Sequence, residues 1–201
     1  MNDKGLTLVE LMIAIVIFVV VLMAALSFFS DSYEKIIMGN RYTAGKVALL
    51  HAAEIIDRDL IKAGFGMDPD GGDPSPVEWD GTNYELTVRY IDYDKSSPID
   101  CEDEVLNNGK TWTTVSSTCK YEIVYALEGG NIKRYVDEGA DGNNTSYPMF
   151  DSGYVVINSF TASVSTPADT GSAATVSYII EAEIESKEYK VSGKTICRNW
   201  Y

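Results

Sequence analysis

Histidine is nearly absent from this 201-residue chain, with His51 alone, and its three cysteines, Cys101, Cys119 and Cys197, include no Cys-x-x-Cys pair. A structural zinc site takes four nitrogen or sulfur ligands, usually in closely spaced pairs, so no metal is assigned and no cofactor is expected. Basic residues are also scarce, 16 Lys and Arg against 30 Asp and Glu, for a net charge of −14. Nucleic-acid binding draws on clustered cations that displace counterions from phosphates, so no nucleic acid is expected to bind through a basic patch. A solvated acidic surface follows instead. No Gly-x-Ser-x-Gly elbow and no phosphate-cradling glycine loop occur, and His51 lies between Leu50 and Ala52 as a polar helix position rather than a general base. No catalytic residue is assigned and the chain is read as non-enzymatic. Proline is missing before Pro69, and charge is missing altogether from Leu11 to Ser30.

That uncharged run is what the chain has in place of a site. Leu11–Leu26, extended by Phe28 and Phe29, is long enough as a helix to cross most of a hydrocarbon core of roughly 30 Å. A secretory signal peptide would carry a basic leader, a shorter apolar core and a small-residue cleavage site after it. Here only Met1-Asn2-Asp3-Lys4-Gly5 and a few further residues precede the run, and no such cleavage site follows it. The deciding residue is Glu10, a carboxylate at the lip of the apolar run and five residues beyond a glycine. Such a charge is costly in hydrocarbon and is normally met by a partner.

The string Lys4-Gly5-Leu6-Thr7-Leu8-Val9-Glu10, followed by the apolar run, resembles the processing motif of type IV prepilins. The resemblance implies that a membrane peptidase cuts between Gly5 and Leu6 and methylates the new amine of Leu6. Leu6 stands where phenylalanine is commoner. It further implies that Glu10 of an incoming subunit neutralises the N-terminal amine of its neighbour, offsetting two desolvation costs at once.

Downstream, Leu49, Ala53, Ile56, Leu60 and Ala63 recur at 4-3-4-3 spacing, which lays one apolar stripe along a helix. Gly64, Gly66 and Pro69 stop it. One helix from about Leu6 to Gly64 is expected, with Gly39 and Gly45 as points where its middle can loosen. Many type IV pilins carry a proline in the hydrophobic half, and this chain departs from them. Asp68–Pro76 reads as a linker. Beyond it the period changes to two: Tyr84–Ile91, Tyr121–Leu127, Asn131–Val136, Tyr154–Val164, Thr175–Ile184 and Glu188–Ile196 are the expected strands, with a tight hairpin at Gly129-Gly130 and a bulge at Gly193. The fold class is therefore α+β, a long N-terminal helix packed on an antiparallel β-sheet body, the pilin fold. The expected organisation is a leader at 1–5, a transmembrane and assembly helix at 6–30, the amphipathic half of the helix at 31–66 and a β-rich body at 67–201.

For a body outside the cytoplasm, one disulfide and one remaining thiol is the simplest count. Cys101–Cys119 is the preferred pair, since it staples the loop through Asn107-Asn108-Gly109, and Cys197 stays open as a partner. The acidic, glycine-containing stretch Asp137–Asn144 offers oxygen ligands but neither the spacing nor the closing glutamate of a calcium loop, and a solvated turn is preferred.

The helix end Asp57–Gly66, the hairpin Tyr121–Tyr135 with Lys133-Arg134-Tyr135, and Arg198-Asn199 resemble PilW-type minor pilins and the J-type pseudopilins of type II secretion. That resemblance implies a minor subunit that helps initiate or cap a type IV pilus or secretion pseudopilus. Its partners would be the prepilin peptidase, other major and minor pilins or pseudopilins, and the inner-membrane assembly platform. The body would sit in the periplasm on a single-pass inner-membrane anchor. A filament-tip binding or adhesion module is the alternative.

Overall fold

The computed structural model describes residues 8–68, 72–94, 100–138, 145–150, 153–165 and 174–197. The chain divides into two units, Met1–Thr43 and Ala44–Tyr201. The described part of the first is helical throughout. It belongs to α1 (Leu8–Lys62), whose apolar side chains from Leu8 to Phe29 are largely exposed. The 20 residues from Leu11 to Ser30 rise about 30 Å as a helix, and α1 is long and apolar enough to cross a membrane.

The second unit contains the last turns of α1 and eight antiparallel strands. Five form one sheet in chain order: β1 (Val77–Asp80), β2 (Glu85–Ile91), β3 (Lys120–Glu128), β4 (Asn131–Glu138) and β5 (Thr145–Pro148). Three form another: β6 (Val155–Ser165), β7 (Ala174–Ile184) and β8 (Lys187–Cys197). The expected α+β class and antiparallel pairing are observed, with the strands divided between two sheets. Strands β1 and β5 lie outside the expected set. Each has only four residues, too few for alternation to stand out, and β5 is exposed along its length.

The apolar stripe of α1 is buried as the spacing requires. Leu49, Ile56, Leu60 and Ala63 have no exposed surface. Burying each of the three large side chains contributes about 1.5–3 kcal/mol. Leu86, Val88, Ile123 and Tyr125 of the first sheet and Phe160, Tyr178, Ile180 and Ile184 of the second are likewise buried. The sheets meet at β6: the Trp79 and Phe160 rings contact edge to face at 5.6 Å, and the Ile157 N–H donates to the Gly130 carbonyl at 2.8 Å. A register shift between Ile157 and Ser159, at Asn158, accommodates that second bond.

Two glycines act by close approach. At Gly45 a Cβ would lie 2.7 Å from a methyl of Ile184 and 3.1 Å from one of Val155, so the helix backbone comes down directly on β6 and β7 and stays α-helical there. Gly193 is not a bulge. It pairs in register with Tyr178, whose ring occupies the place of the missing side chain. The β3–β4 hairpin turns through Gly129-Gly130, both at positive φ, whereas the β7–β8 hairpin turns through Glu185 and Ser186, also at positive φ but without glycine.

The loop from Cys101 to Cys119 is closed by a disulfide, and Cys197 is a buried thiol whose burial pushes its pKa up to about 11. Closing a loop of this length contributes about 3 kcal/mol. The disulfide packs with Ile91, Trp112 and Val115 in a small core of its own. Asp73, from the segment expected to be a linker, fastens this loop. Its carboxylate accepts the backbone N–H groups of Asp68, Trp112 and Thr113 at 2.9–3.0 Å. Burial raises the carboxyl's affinity for a proton, yet these donors outweigh it and hold Asp73 below its ordinary 3.8. A carboxylate with a depressed folded pKa contributes stability above its unfolded value and loses it as pH falls through the folded value. Asp73→Asn should therefore flatten the acid limb of the melting temperature below about pH 4 and leave less pH dependence than the parent. Circular dichroism melts across pH 2.5–6 (on the order of eight points) check this, and identical acid limbs would remove Asp73 as the clamp.

Candidate assembly segment and its anchorage

Glu10 lies in the first turn of α1 and is exposed, immediately before the uncharged residues Leu11–Ser30. Within hydrocarbon the Glu10 carboxylate costs several kcal/mol or more unless a cation meets it. Gly5 and Leu6, the expected cleavage pair and methylation site, lie outside the described residues, as do Arg198 and Asn199.

A family model described as the prokaryotic N-terminal methylation motif matches residues 1–26. Over that segment this chain is type IV prepilin-like. Among solved structures, a type IV-like pilin from Thermus thermophilus aligns at a TM-score of 0.49 and 7% identity, covering 78% of this chain and 98% of that one. No curated protein matches the chain.

The prepilin-like helix is held in the body by polar contacts set within its apolar face. Asp59 is 2% exposed and follows Ile56 by three residues, so it falls on the stripe itself. Tyr125 donates its hydroxyl to Asp59 Oδ2 at 2.5 Å, and Arg134 donates Nε to the same oxygen at 2.9 Å and approaches it through a terminal nitrogen at 2.8 Å. Tyr125 and Arg134 are direct cross-strand partners on β3 and β4. Burial, and then the Asp59 charge, push the Tyr125 phenol well above its ordinary range, so it remains a donor. The second sheet holds the same turns. Tyr178 donates its hydroxyl to the Ala53 carbonyl at 2.9 Å, and Thr195 donates to Asp57 Oδ1 at 2.5 Å. At the helix end, Gly64 adopts positive φ and its N–H donates to the Arg89 carbonyl of β2.

Sequence reasoning singled out Asp57–Gly66 and Lys133-Arg134-Tyr135 as family-like, without a structural role for either. The readable signal was a carboxylate inside an apolar stripe, which requires a buried cation. His51 is exposed, 3.8 Å from Glu54 on the same helix. Of the stretch once considered for calcium, residues 139–144 lie outside the described residues. No group of three or more His, Cys, Asp or Glu suited to a metal occurs among the described residues.

Removing Arg134 strands the Asp59 carboxylate, whereas removing the Tyr125 hydroxyl leaves the ion pair. Arg134→Ala should cost about 3 kcal/mol and Tyr125→Phe about 1.5 kcal/mol. Urea unfolding of the full chain in detergent micelles measures both. A larger loss for Tyr125→Phe would contradict the role assigned to the ion pair.

Proposed function

We propose that this chain is a minor pilin or pseudopilin, cut between Gly5 and Leu6 by the prepilin peptidase, that helps initiate or cap a type IV pilus or secretion pseudopilus. The observation that carries the reading is the methylation motif over residues 1–26, with Glu10 heading an uncharged, exposed helical run. A helix of that kind enters the inner membrane with the body in the periplasm. Its Glu10 then pairs with the amine of a neighbouring pilin or pseudopilin while the assembly platform lifts the subunits. The peptidase is the catalyst; this chain contributes the Gly5 carbonyl that water attacks as the Gly5–Leu6 bond breaks, and the freed Leu6 amine that takes a methyl group from a methyl donor bound by the enzyme. A disulfide interior to the body, with Cys197 left as a buried thiol, supports a minor subunit over a major pilin that ends in a disulfide-bounded loop.

Mass spectrometry of the membrane-extracted protein should find a chain beginning at a methylated Leu6, and Gly5→Leu should accumulate the uncut form. A native start at Met1, or beyond Ser27, would sink the processing assignment. Glu10→Ala should be processed normally yet recovered in sheared filaments or initiation complexes at about a tenth of the parent level, the effect of about 1.4 kcal/mol in one contact. Equal incorporation would show that the charge pair is not used. A body that dominates a sheared filament preparation would point to a major subunit instead.

A further inference from the structure

The C-terminal end of α1 opens on a groove of about 490 Å³. That lies within the roughly 300–1,000 Å³ typical of clefts that take a small group. Its apolar walls are Ile61, Phe65 and Tyr93. Ile61 is 52% exposed and Phe65 40%, although the Phe65 and Tyr93 rings touch each other with centroids 4.5 Å apart. Ile61 and Phe65 thereby present apolar surface to solvent within the groove.

Among the described lining residues, carboxylates outnumber cations. Asp92, Asp94 and Glu102 line it, and none of the three forms an ion pair among the described residues. The last turn of α1 ends at Lys62, so the negative end of the helix dipole points the same way. Aromatic faces add a third attraction for cations. One is already in use: the Lys62 ammonium sits 5.4 Å from the centroid of Tyr90. Among the described lining residues Lys62 is the single cation, against three carboxylates.

We infer that this groove binds a segment of another protein that presents a lysine or arginine side chain between apolar neighbours. The cation would lie among Asp92, Asp94 and Glu102, and its flanking apolar residues would cover Ile61 and Phe65. A second copy of this chain is a poor occupant, because both copies carry a net charge of −14 and repel. The same field steers a basic segment toward the body. The groove uses no residue of the N-terminal motif, so this inference and the filament reading stand or fall separately.

The test uses the full-length chain in nonionic detergent micelles and the synthetic peptide acetyl-Gly-Leu-Lys-Leu-Gly-amide, with norleucine replacing lysine as the control. Nuclear magnetic resonance titration should show saturable shifts at the Phe65 and Tyr93 rings, with the norleucine peptide about tenfold weaker. Combining Asp92→Asn, Asp94→Asn and Glu102→Gln should weaken the lysine peptide about tenfold and leave the norleucine peptide unchanged. Equal affinity of the two peptides for the parent chain, or no saturable shift at those rings up to about 5 mM, a range that still detects millimolar complexes, overturns the inference. The peptide comparison decides the matter even if the triple variant unfolds.

Discussion

A carboxylate with almost no access to water sits on the apolar face of α1, and the body is arranged around satisfying it. Alone, the Asp59 charge would cost several kcal/mol in that environment. Arg134 and Tyr125 meet it from adjacent strands, so the contact forms only when β3 and β4 are in register and α1 is at one rotation and one axial position. An apolar stripe can slide by a turn and still bury its leucines. A buried ion pair with a hydrogen-bonded phenol cannot. The Tyr178 and Thr195 contacts repeat the constraint from the other sheet. The last turns of α1 are therefore fixed to both sheets.

Packing density reinforces this attachment at the points where backbone replaces side chain. Gly45 lets α1 settle on Ile184 and Val155, and Gly193 gives Tyr178 the space from which its hydroxyl reaches Ala53. The disulfide-closed loop is organised differently, through short helical turns at Asp103–Asn107 and Ser117–Cys119 and no strand pairing. A covalent bond, the Asp73 clamp and the ion pair of Lys110 with Glu104 at 2.5 Å do there what ladder hydrogen bonds do in the sheets. The body's negative charge is distributed around these contacts. At the groove it gathers beside aromatic rings and the helix terminus, where it acquires direction.

Much of the fold was legible because periodicity survives averaging. The 4-3-4-3 spacing of Leu49 to Ala63 marked the buried stripe, and alternation put Leu86, Val88 and Tyr90 on one face of their strand and Tyr121, Ile123 and Tyr125 on one face of theirs, all buried but the half-buried Tyr121. Gly129-Gly130 marked its hairpin because positive φ is easiest for glycine. Glu185-Ser186 makes the equivalent turn without that signature, and four-residue strands such as β1 leave too short a pattern to read. Gly193 looked like a bulge because a glycine inside a strand has two explanations, irregular pairing or close approach, and only the position of Tyr178 separates them.

By itself the sequence determined the N-terminal segment: the methylation motif over residues 1–26 and an uncharged run long and apolar enough to cross a membrane are both local properties of the chain. It also determined the α+β class, since the change of period from about 3.6 to 2 is a local property. Tertiary structure alone decided the division into two sheets, the pairing of Asp59 with Arg134 across 75 residues, the clamp at Asp73 and the groove beside Phe65. Each of these brings together residues far apart in the chain, and long-range contacts depend on how whole elements pack, which no local pattern encodes.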